Sequence, residues 1–360
     1  MGNIKVMFDY QAYNQRIGGV SRYHTKLMQH LSEYGIDPVL PKILTDNLYI
    51  KQLGIPHRQF SQWRFGKYRQ RVMAWVNQQI CKRAICKNNY DVFHATFVNP
   101  YYESCIKNKP IVVTVHDLIQ EKSQRVDSKI TSIRRLRQLR HADAIVCVSN
   151  QTKTDLLDYY PEVANKRISV IYHGNDQNIP QNFGPPLYDI PYLLYVGSRE
   201  AYKNFPNILH ALARMPKEIH LVCTGASFSS SELALIDNLK LSNRVMQRFV
   251  SEQELMNLYH YAEAFVYPST MEGFGIPILE AFRLQCPAIV SDIQCFKEVG
   301  GGGIKYFDPL NVEEIKETIL SVIYNTSERN SHISYGLERL KLFSWDTSIN
   351  KHAQLYNELI

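Results

Sequence analysis

Short apolar runs rich in β-branched residues alternate along the chain with longer segments whose apolar positions follow a helical period. A strand buried on both faces is a short continuous apolar run, so this alternation predicts parallel sheets covered by helices on both faces. The predicted strands in the first half are Ile4–Phe8, Asp91–His94, Ile111–His116, Ala144–Val148 and Ile168–Tyr172. Those in the second half are Tyr192–Val196, His220–Thr224, Arg244–Phe249, Ala264–Tyr267 and Ala288–Ser291. The predicted helices are Ser21–Tyr34, Tyr68–Asn88, Asn207–Met215, Ser251–Ala262, Asn311–Ile323 and Asp346–Leu359.

The length of 360 residues suits two domains of ordinary size. The segment Asn175–Asp189 is rich in Asn, Gln, Pro and Gly and has no apolar period, so it predicts a linker. We therefore expect an α/β protein with two doubly wound parallel-sheet domains, over residues 1–178 and 179–342, followed by a helical segment over 343–360.

Charge is distributed unequally between the two halves. Residues 1–182 carry 26 Lys and Arg against 14 Asp and Glu, a net charge of +12, whereas residues 183–360 carry 15 against 20, a net charge of −5. The excess in the first half indicates an anionic substrate or surface as its partner.

The seven cysteines are dispersed and show no paired metal spacing, which predicts reduced thiols and a cytosolic enzyme. The first residues lead directly into a strand pattern rather than a signal peptide, and no apolar run approaches the length of a membrane span.

The most informative segment is Glu272-Gly-Phe-Gly-Ile-Pro-Ile-Leu-Glu280, in which seven residues separate two carboxylates. It follows a predicted strand, and Gly273 and Gly275 allow the backbone to bend and to approach a ligand closely. Pro277 suits the first turn of a helix, so Glu280 is expected in that first turn. A glycine loop that leads into a helix N-terminus favours an anion. A carboxylate on each side of an anion site is costly unless each accepts hydrogen bonds from hydroxyl groups. A sugar at one end and a ribose at the other would supply them, which points to a nucleotide-sugar.

Two further segments contribute to the predicted ligand site. Arg199 and Lys203 follow the first strand of the second domain, where a fork-shaped guanidinium and a mobile ammonium suit a diphosphate. Val250 follows another strand, and Ser251 after it is a plausible helix cap.

The string Tyr267-Pro-Ser-Thr-Met-Glu-Gly-Phe-Gly-Ile-Pro-Ile-Leu-Glu-Ala281 resembles the E-x7-E signature of retaining glycosyltransferases of family 4, which have the GT-B fold. The resemblance extends from the Gly18-Gly19-Val20 loop to Phe343-Ser344-Trp345. It implies two Rossmann-like domains that face a central crevice, an acceptor-binding one before a donor-binding one. It also implies a C-terminal helix that crosses back to pack on the first domain.

The resemblance assigns roles to the residues above. Glu272 would bind the donor sugar, Glu280 the ribose, and Arg199 and Lys203 the diphosphate. The backbone N–H groups of Gly273, Phe274, Gly275 and Ile276 would face sugar or phosphate, and the backbone near Val250 would border the nucleobase. In the first domain Gly18 and Gly19 would approach the donor, and His116 would line the sugar pocket. The string Tyr202-Lys203-Asn204-Phe205 resembles members that use GDP-mannose, with UDP-hexoses left open.

The sequence contains no Asp-x-Asp and no His/Cys cluster at ligand spacing, so we expect no metal and no cofactor. Arg199, Lys203 and the helix N-terminus would then offset the leaving group's charge. Transfer with retention would follow, in which the leaving diphosphate takes the acceptor proton on the same face. A covalent intermediate on Glu272 is the alternative.

Cations and large apolar side chains are interleaved in Trp63–Trp75, and a second basic run extends from Lys129 to Arg140. These runs suit either an anionic membrane face or ordinary solvated helices. We expect a glycan or lipid-linked glycan acceptor, in the cytoplasm or on the inner membrane face, and no nucleic acid. The alternatives are a sugar-nucleotide epimerase of the same fold and a non-catalytic binder of anionic lipid or nucleic acid.

Overall fold

The computed structural model describes residues 3–54, 57, 68–123 and 126–360. The chain divides into two compact units, one formed by Met1–Gly174 with Trp345–Ile360 and the other by Asn175–Ser344. Each unit contains a six-stranded, wholly parallel sheet with helices between its strands. This is the architecture that the alternating pattern predicts.

In the first unit the sheet order is β2-β1-β3-β4-β5-β6. Its strands are β1 Ile4–Phe8, β2 Ile36–Val39, β3 Val92–Ala95, β4 Ile111–Val115, β5 Ala144–Cys147 and β6 Arg167–Val170. Its helices are α1 Gly19–His30, α2 Arg69–Cys86, α3 Ile119–Lys122, α4 Val126–His141 and α5 Asn150–Tyr159. The four inner strands are apolar along most of their length, because helices cover both faces of the sheet.

In the second unit the order is β12-β11-β10-β7-β8-β9. Its strands are β7 Tyr192–Tyr195, β8 His220–Thr224, β9 Val245–Arg248, β10 Ala264–Tyr267, β11 Ala288–Ser291 and β12 Ile304–Phe307. Its helices are α6 Phe205–Ala213, α7 Ser230–Asn238, α8 Glu252–Tyr261, α9 Ile276–Arg283, α10 Gln294–Gly300, α11 Val312–Ile323 and α12 Thr326–Leu340.

The last helix, α13 Trp345–Asn357, belongs to the first unit, where Ile349, Leu355 and Tyr356 join the buried core. Gly174 and Trp345 come very close there: a Cβ atom added to Gly174 would lie 2.4 Å from Trp345 Cα. The backbone at this point therefore requires a residue without a side chain.

Two strands, β2 and β12, were not predicted from the sequence. Both lie at a sheet edge, where burial is weaker and the apolar signal is shorter. Pro38 lies inside β2, and a proline within a strand is tolerated at an edge because one side of the strand has no ladder partner. The other predicted elements agree with the structure apart from shifts at their ends.

Candidate donor-binding site

The strongest candidate site lies in the second unit, at the carboxyl ends of the neighbouring strands β7 and β10. The chain leaves β7 towards β8 on one side and leaves β10 towards β11 on the other, so the strand order reverses at this point. Parallel α/β sheets bind ligands at such a reversal, because the two connections separate and leave a space between them. Lys203 follows β7 and Glu272 follows β10, so the sheet brings these two predicted residues together.

The turn after β10 is shaped by its glycines and by Pro277. Gly275 has a φ of 113°, a left-handed conformation that favours glycine, and it caps α9. A Cβ atom there would also lie 3.1 Å from Ile278 and 3.2 Å from Phe296. Pro277 lies in the first turn of α9, as predicted. The turn therefore has the predicted form of a glycine loop leading into a helix N-terminus.

Lys203 and Glu272 form the central ion pair of this site. Lys203 Nζ lies 2.6 Å from Glu272 Oε1 and 3.3 Å from the hydroxyl oxygen of Tyr267. The two charged side chains are only 15% and 11% exposed, so solvent screens their attraction less than it would on the surface. The supporting loops are tied together where the N–H group of Thr270 donates to the carbonyl of Tyr202 at 2.8 Å.

Glu280 lies in a different turn of α9 than predicted. Because α9 begins at Ile276, Glu280 is in its second turn, and the prediction of the first turn is wrong. The helix N-terminus acts mainly on the first turn, so it does not account for this carboxylate. Tyr259 donates its hydroxyl hydrogen to Glu280 Oε2 at 3.2 Å. Glu280 therefore has a buried hydrogen-bond partner within its own unit.

Arg199 is not brought to the Lys203–Glu272 pair in this structure. Its side chain is 5% exposed, and its Nε donates to Glu232 Oε1 at 2.8 Å. Its Nη2 donates to the carbonyls of Ala226 and Ser227, and the guanidinium lies 4.8 Å from the centre of the Phe228 ring. Glu232 was not anticipated as a partner, because 33 residues separate it from Arg199 and nothing local in the sequence connects them.

The other predicted residues of this unit lie in the glycine turn, at the start of α9 and after β9. Gly273 and Phe274 are buried in the turn, and Phe274 packs edge-on against Phe343 at 5.9 Å. Ile276 is the first residue of α9. Val250 follows β9, which β8 separates from β7. Ser251 caps α8, as predicted, with its side chain accepting from the N–H group of Glu254.

In the first unit Gly18 and Gly19 begin helix α1. Gly18 is its N-terminal cap in an extended conformation, and Gly19 is its first residue. A Cβ atom on Gly18 would lie 2.1 Å from the end of the Gln15 side chain, so a larger residue there requires that flexible side chain to shift.

His116 follows β4, is partly exposed, and packs with four buried histidines of the first unit, His24, His94, His173 and His352. We call this group the histidine cluster. The ring of Tyr23 lies 4.8–5.9 Å from four of the five rings, and its hydroxyl is 2.7 Å from His352 Nε2. Burial, followed by the positive charge of Arg135, lowers the pKa of His116 to about 3. A histidine in this position is neutral at physiological pH and can donate one hydrogen bond and accept another.

His24 and His352 were not predicted as members of a cluster. His24 lies on the buried face of α1 and His352 on that of α13, more than 300 residues apart in the sequence. Only the apolar period of each helix could have indicated that these residues point inwards.

The basic run Lys129–Arg140 forms most of α4, and its members differ in exposure. Arg135 is buried and pairs with Glu121 at 2.6 Å, so it is part of the interior and not of a basic surface. Ile130 and Ile133 are exposed on the same helix. In the other basic segment, Trp63–Lys67 lie outside the described residues, and Trp75 is exposed on α2.

Among residues 3–54, 57, 68–123 and 126–360, no group of three or more His, Cys, Asp or Glu side chains is arranged to hold a metal ion. A search of the same ranges found no helix with both the length and the hydropathy of a membrane span.

Two sequence families match the chain, one on each unit. The family described as Glycosyltransferase Family 4 matches residues 17–178, and the one described as Glycosyl transferases group 1 matches residues 177–339. Among individual relatives, O-antigen chain mannosyltransferase B of Escherichia coli is 27% identical over 61% of this chain and 61% of its own length. O-antigen chain mannosyltransferase RfbU of Salmonella typhimurium is 33% identical over 46% of each chain. These matches therefore span less than two thirds of either relative.

Solved structures agree in fold over the whole chain. The Anabaena protein HepE in complex with UDP and glucose superposes with a TM-score of 0.77 at 17% identity, over 99% of this chain and 100% of that one. Sucrose-phosphate synthase of Thermosynechococcus elongatus has a TM-score of 0.75 at 18% identity, over 100% and 99%. At these identities the likeness establishes the shared two-domain fold.

Proposed function

Because the chain belongs to glycosyltransferase family 4, whose members have the GT-B fold, we propose that it transfers a hexosyl group from a nucleotide-sugar to a growing, lipid-linked glycan. The preferred donor in this proposal is GDP-mannose, since the matched relatives include O-antigen mannosyltransferases. The observation that carries the proposal is the ion pair of Lys203 and Glu272 where the strand order of the second unit reverses.

Each part of this site has a role in the proposal. Lys203 turns from Glu272 to the diphosphate, and Glu272 then accepts hydrogen bonds from hydroxyls of the donor sugar. Glu280 accepts from the ribose. The backbone N–H groups of Gly273, Phe274, Gly275 and Ile276 face sugar or phosphate, where the helix dipole favours negative charge. Arg199 can join them only after leaving Glu232 and the carbonyls of the 226–227 loop.

The proposed transfer retains the anomeric configuration. The bond between the sugar and the diphosphate oxygen breaks, and the acceptor oxygen bonds to the same face of the sugar while its proton passes to the departing phosphate oxygen. Lys203 offsets the charge that develops on that phosphate. A carboxylate beside the donor sugar can also act as a nucleophile. The competing route therefore forms a glycosyl ester on Glu272.

Three other functions remain to be tested. A UDP-hexose donor is favoured by one observation, the UDP and glucose bound to a structural neighbour of the same fold. An epimerase would convert one sugar nucleotide into another without an acceptor and without net release of free nucleotide. A non-catalytic binder of anionic lipid or nucleic acid would not depend on Glu272.

The deciding experiment combines thermal shift with a transfer assay. A panel of GDP, UDP and their sugars should show stabilisation by the true donor, since a ligand that binds only the folded state stabilises it by mass action. Nucleotide release should then require a glycan acceptor. Glu272→Gln should reduce transfer by about a hundredfold or more, by analogy with the loss of one transition-state hydrogen bond.

Glu328→Gln is a matched control for that variant. Glu328 pairs with Lys305 at 2.6 Å in the same unit, at the same distance as the pair at the site, but it lies on α12. Equal activity of the two variants would contradict the assignment of Glu272.

We also propose that α4 contacts an anionic membrane, which would place the enzyme at the inner face where a lipid-linked acceptor is exposed. Ile130 and Ile133 are 53% and 68% exposed, and Arg134 lies beside them. Apolar side chains flanked by cations suit the boundary of a bilayer that contains anionic lipid.

Vesicle sedimentation tests this contact. Ile133→Glu should reduce binding to vesicles with anionic lipid, whereas Leu310→Glu, at a 73% exposed position in the second unit, should not. Binding that is equal for both variants, or equal on uncharged vesicles, would exclude α4 as the contact.

A further inference from the structure

We infer that Tyr267 is a positioning residue of the donor site, which holds the Glu272 carboxylate in place when Lys203 leaves it for the phosphates. This inference rests on the proposed function, because it concerns the same ion pair. It assigns a role to the last residue of β10, which sequence reasoning treated only as part of the strand.

Tyr267 is rigidly placed. Its ring packs on Phe296 at 4.7 Å and on Phe265 at 5.5 Å between ring centres, and the residue is 4% exposed. Since the ring cannot move without disturbing this packing, its hydroxyl has a fixed position at the carboxyl edge of the sheet. Lys203 reaches that hydroxyl from the end of a long, flexible side chain.

The Tyr267 hydroxyl lies beside the Lys203–Glu272 ion pair. Lys203 Nζ, 3.3 Å away, donates to the Tyr267 oxygen and also pairs with Glu272 Oε1 at 2.6 Å, so the hydroxyl lies beside this carboxylate and we assign its hydrogen to Glu272. Burial, together with the negative charge of Glu272, raises the pKa of Tyr267 well above its ordinary value. The phenol therefore keeps its hydrogen throughout the physiological range and remains a donor.

The Tyr267 hydroxyl becomes important when a nucleotide-sugar binds. Lys203 cannot neutralise Glu272 and a diphosphate equally well, so binding the nucleotide weakens the ion pair and leaves a partly buried carboxylate. A hydrogen bond to that carboxylate from a neutral, immobile donor keeps one of its oxygens occupied. The other oxygen is then free to accept from the sugar hydroxyls, and the hydrogen bond to an ionised group is of the stronger kind.

The role predicts which ligands are affected. A nucleoside without phosphates leaves the Lys203–Glu272 pair in place, so removal of the phenol hydroxyl should affect its binding little. A sugar nucleotide relies on the orientation of Glu272 and should lose affinity. A merely structural defect would lower the active fraction of the protein, which does not change a dissociation constant.

Tyr267→Phe is therefore compared with wild type by calorimetry. We expect the dissociation constant of the sugar nucleotide to rise roughly tenfold, the scale of one hydrogen bond to a charged group, while that of the nucleoside changes less than twofold. Tyr192→Phe is the matched control, because Tyr192 is also buried and loses one hydrogen bond, to the carbonyl of Leu258 at 2.9 Å. It should bind both ligands as wild type does.

A double-mutant cycle of Tyr267→Phe and Glu272→Gln, measured by urea unfolding without ligand, tests the contact itself. Coupled effects support the role. Additive effects overturn it, as would equal changes in the dissociation constants of the sugar nucleotide and the nucleoside. If the wild-type protein binds no sugar nucleotide, the proposed function fails and this role falls with it. Additive effects in a protein that does bind the sugar nucleotide would refute the role of Tyr267 alone.

Discussion

Mild acid should destabilise the first unit sharply, because its histidine cluster is buried in the neutral form. Burial lowers the pKa of His352 to about 4 and that of His116 to about 3, and it lowers the pKa of His24, His94 and His173 well below the usual value. In the unfolded chain each would titrate near pH 6.5. The unfolded state therefore binds more protons below that pH, and stability falls as the pH falls.

The expected size follows from that difference. Between pH 7 and pH 5.5, one histidine that stays neutral when folded and titrates normally when unfolded lowers the free energy of unfolding by about 1.2 kcal/mol. Five of them together lower it by about 6 kcal/mol, which is comparable with the whole stability of many domains. Well above pH 6.5 the histidines are neutral in both states, so no stability is lost there. Below that pH the free energy of unfolding keeps falling until the pH reaches the pKa values of the folded state.

Urea unfolding at a series of pH values measures this effect. The slope of stability against pH should correspond to the uptake of several protons between pH 6.5 and pH 5.5. His24→Leu should make the slope shallower, since both ring nitrogens of His24 are buried without a hydrogen-bond partner and the variant removes one titrating group. An uptake below two protons would refute the reasoning, because it would mean that most of the cluster is already charged or exposed when folded.

Three further predictions concern stability. Gly174→Ala should lower the free energy of unfolding by roughly 3 kcal/mol in urea, because its Cβ would meet the Trp345 backbone; an unchanged midpoint would contradict this. Arg135→Met should cost about 3–5 kcal/mol by the same measurement, because it leaves the Glu121 carboxylate buried without its cation, and a neutral effect would show that this pair adds nothing. Ser251→Ala should cost about 1 kcal/mol in thermal unfolding through the lost cap of α8, and a larger loss would imply a role beyond capping.

The family and the fold were predictable from the sequence, because they depend on local signals. Inner strands such as β4 and β10 are continuous apolar runs, and the glycine turn with Pro277 fixes where α9 begins to within a residue. Lys203 and Glu272 were each expected at the donor site, but their ion pair was not predicted, because it depends on the sheet order that places β7 beside β10.

What could not be predicted depends on contacts between distant segments. The ion pair of Arg199 with Glu232 forms only because α7 packs close to Arg199. The burial of Arg135 depends on Glu121, which lies in another helix. A basic run in the sequence looks uniform, but a helix exposes only one side of it. The histidine cluster is likewise assembled from five separate elements, none of which carries a local signal for it.

Both cations expected to meet the diphosphate are engaged by carboxylates in this structure, Lys203 by Glu272 and Arg199 by Glu232. A donor must therefore displace at least one carboxylate, and the two differ in what that displacement costs. Glu232 also accepts from the backbone N–H group of Ser229 as part of the cap of α7, so it remains hydrogen-bonded if Arg199 leaves. Glu272 is not part of a helix cap, so before the sugar hydroxyls reach it, Tyr267 is the group placed to hydrogen-bond it. The hydroxyl of Tyr267 is thus the group that allows Lys203 to exchange partners without leaving a buried charge unbonded.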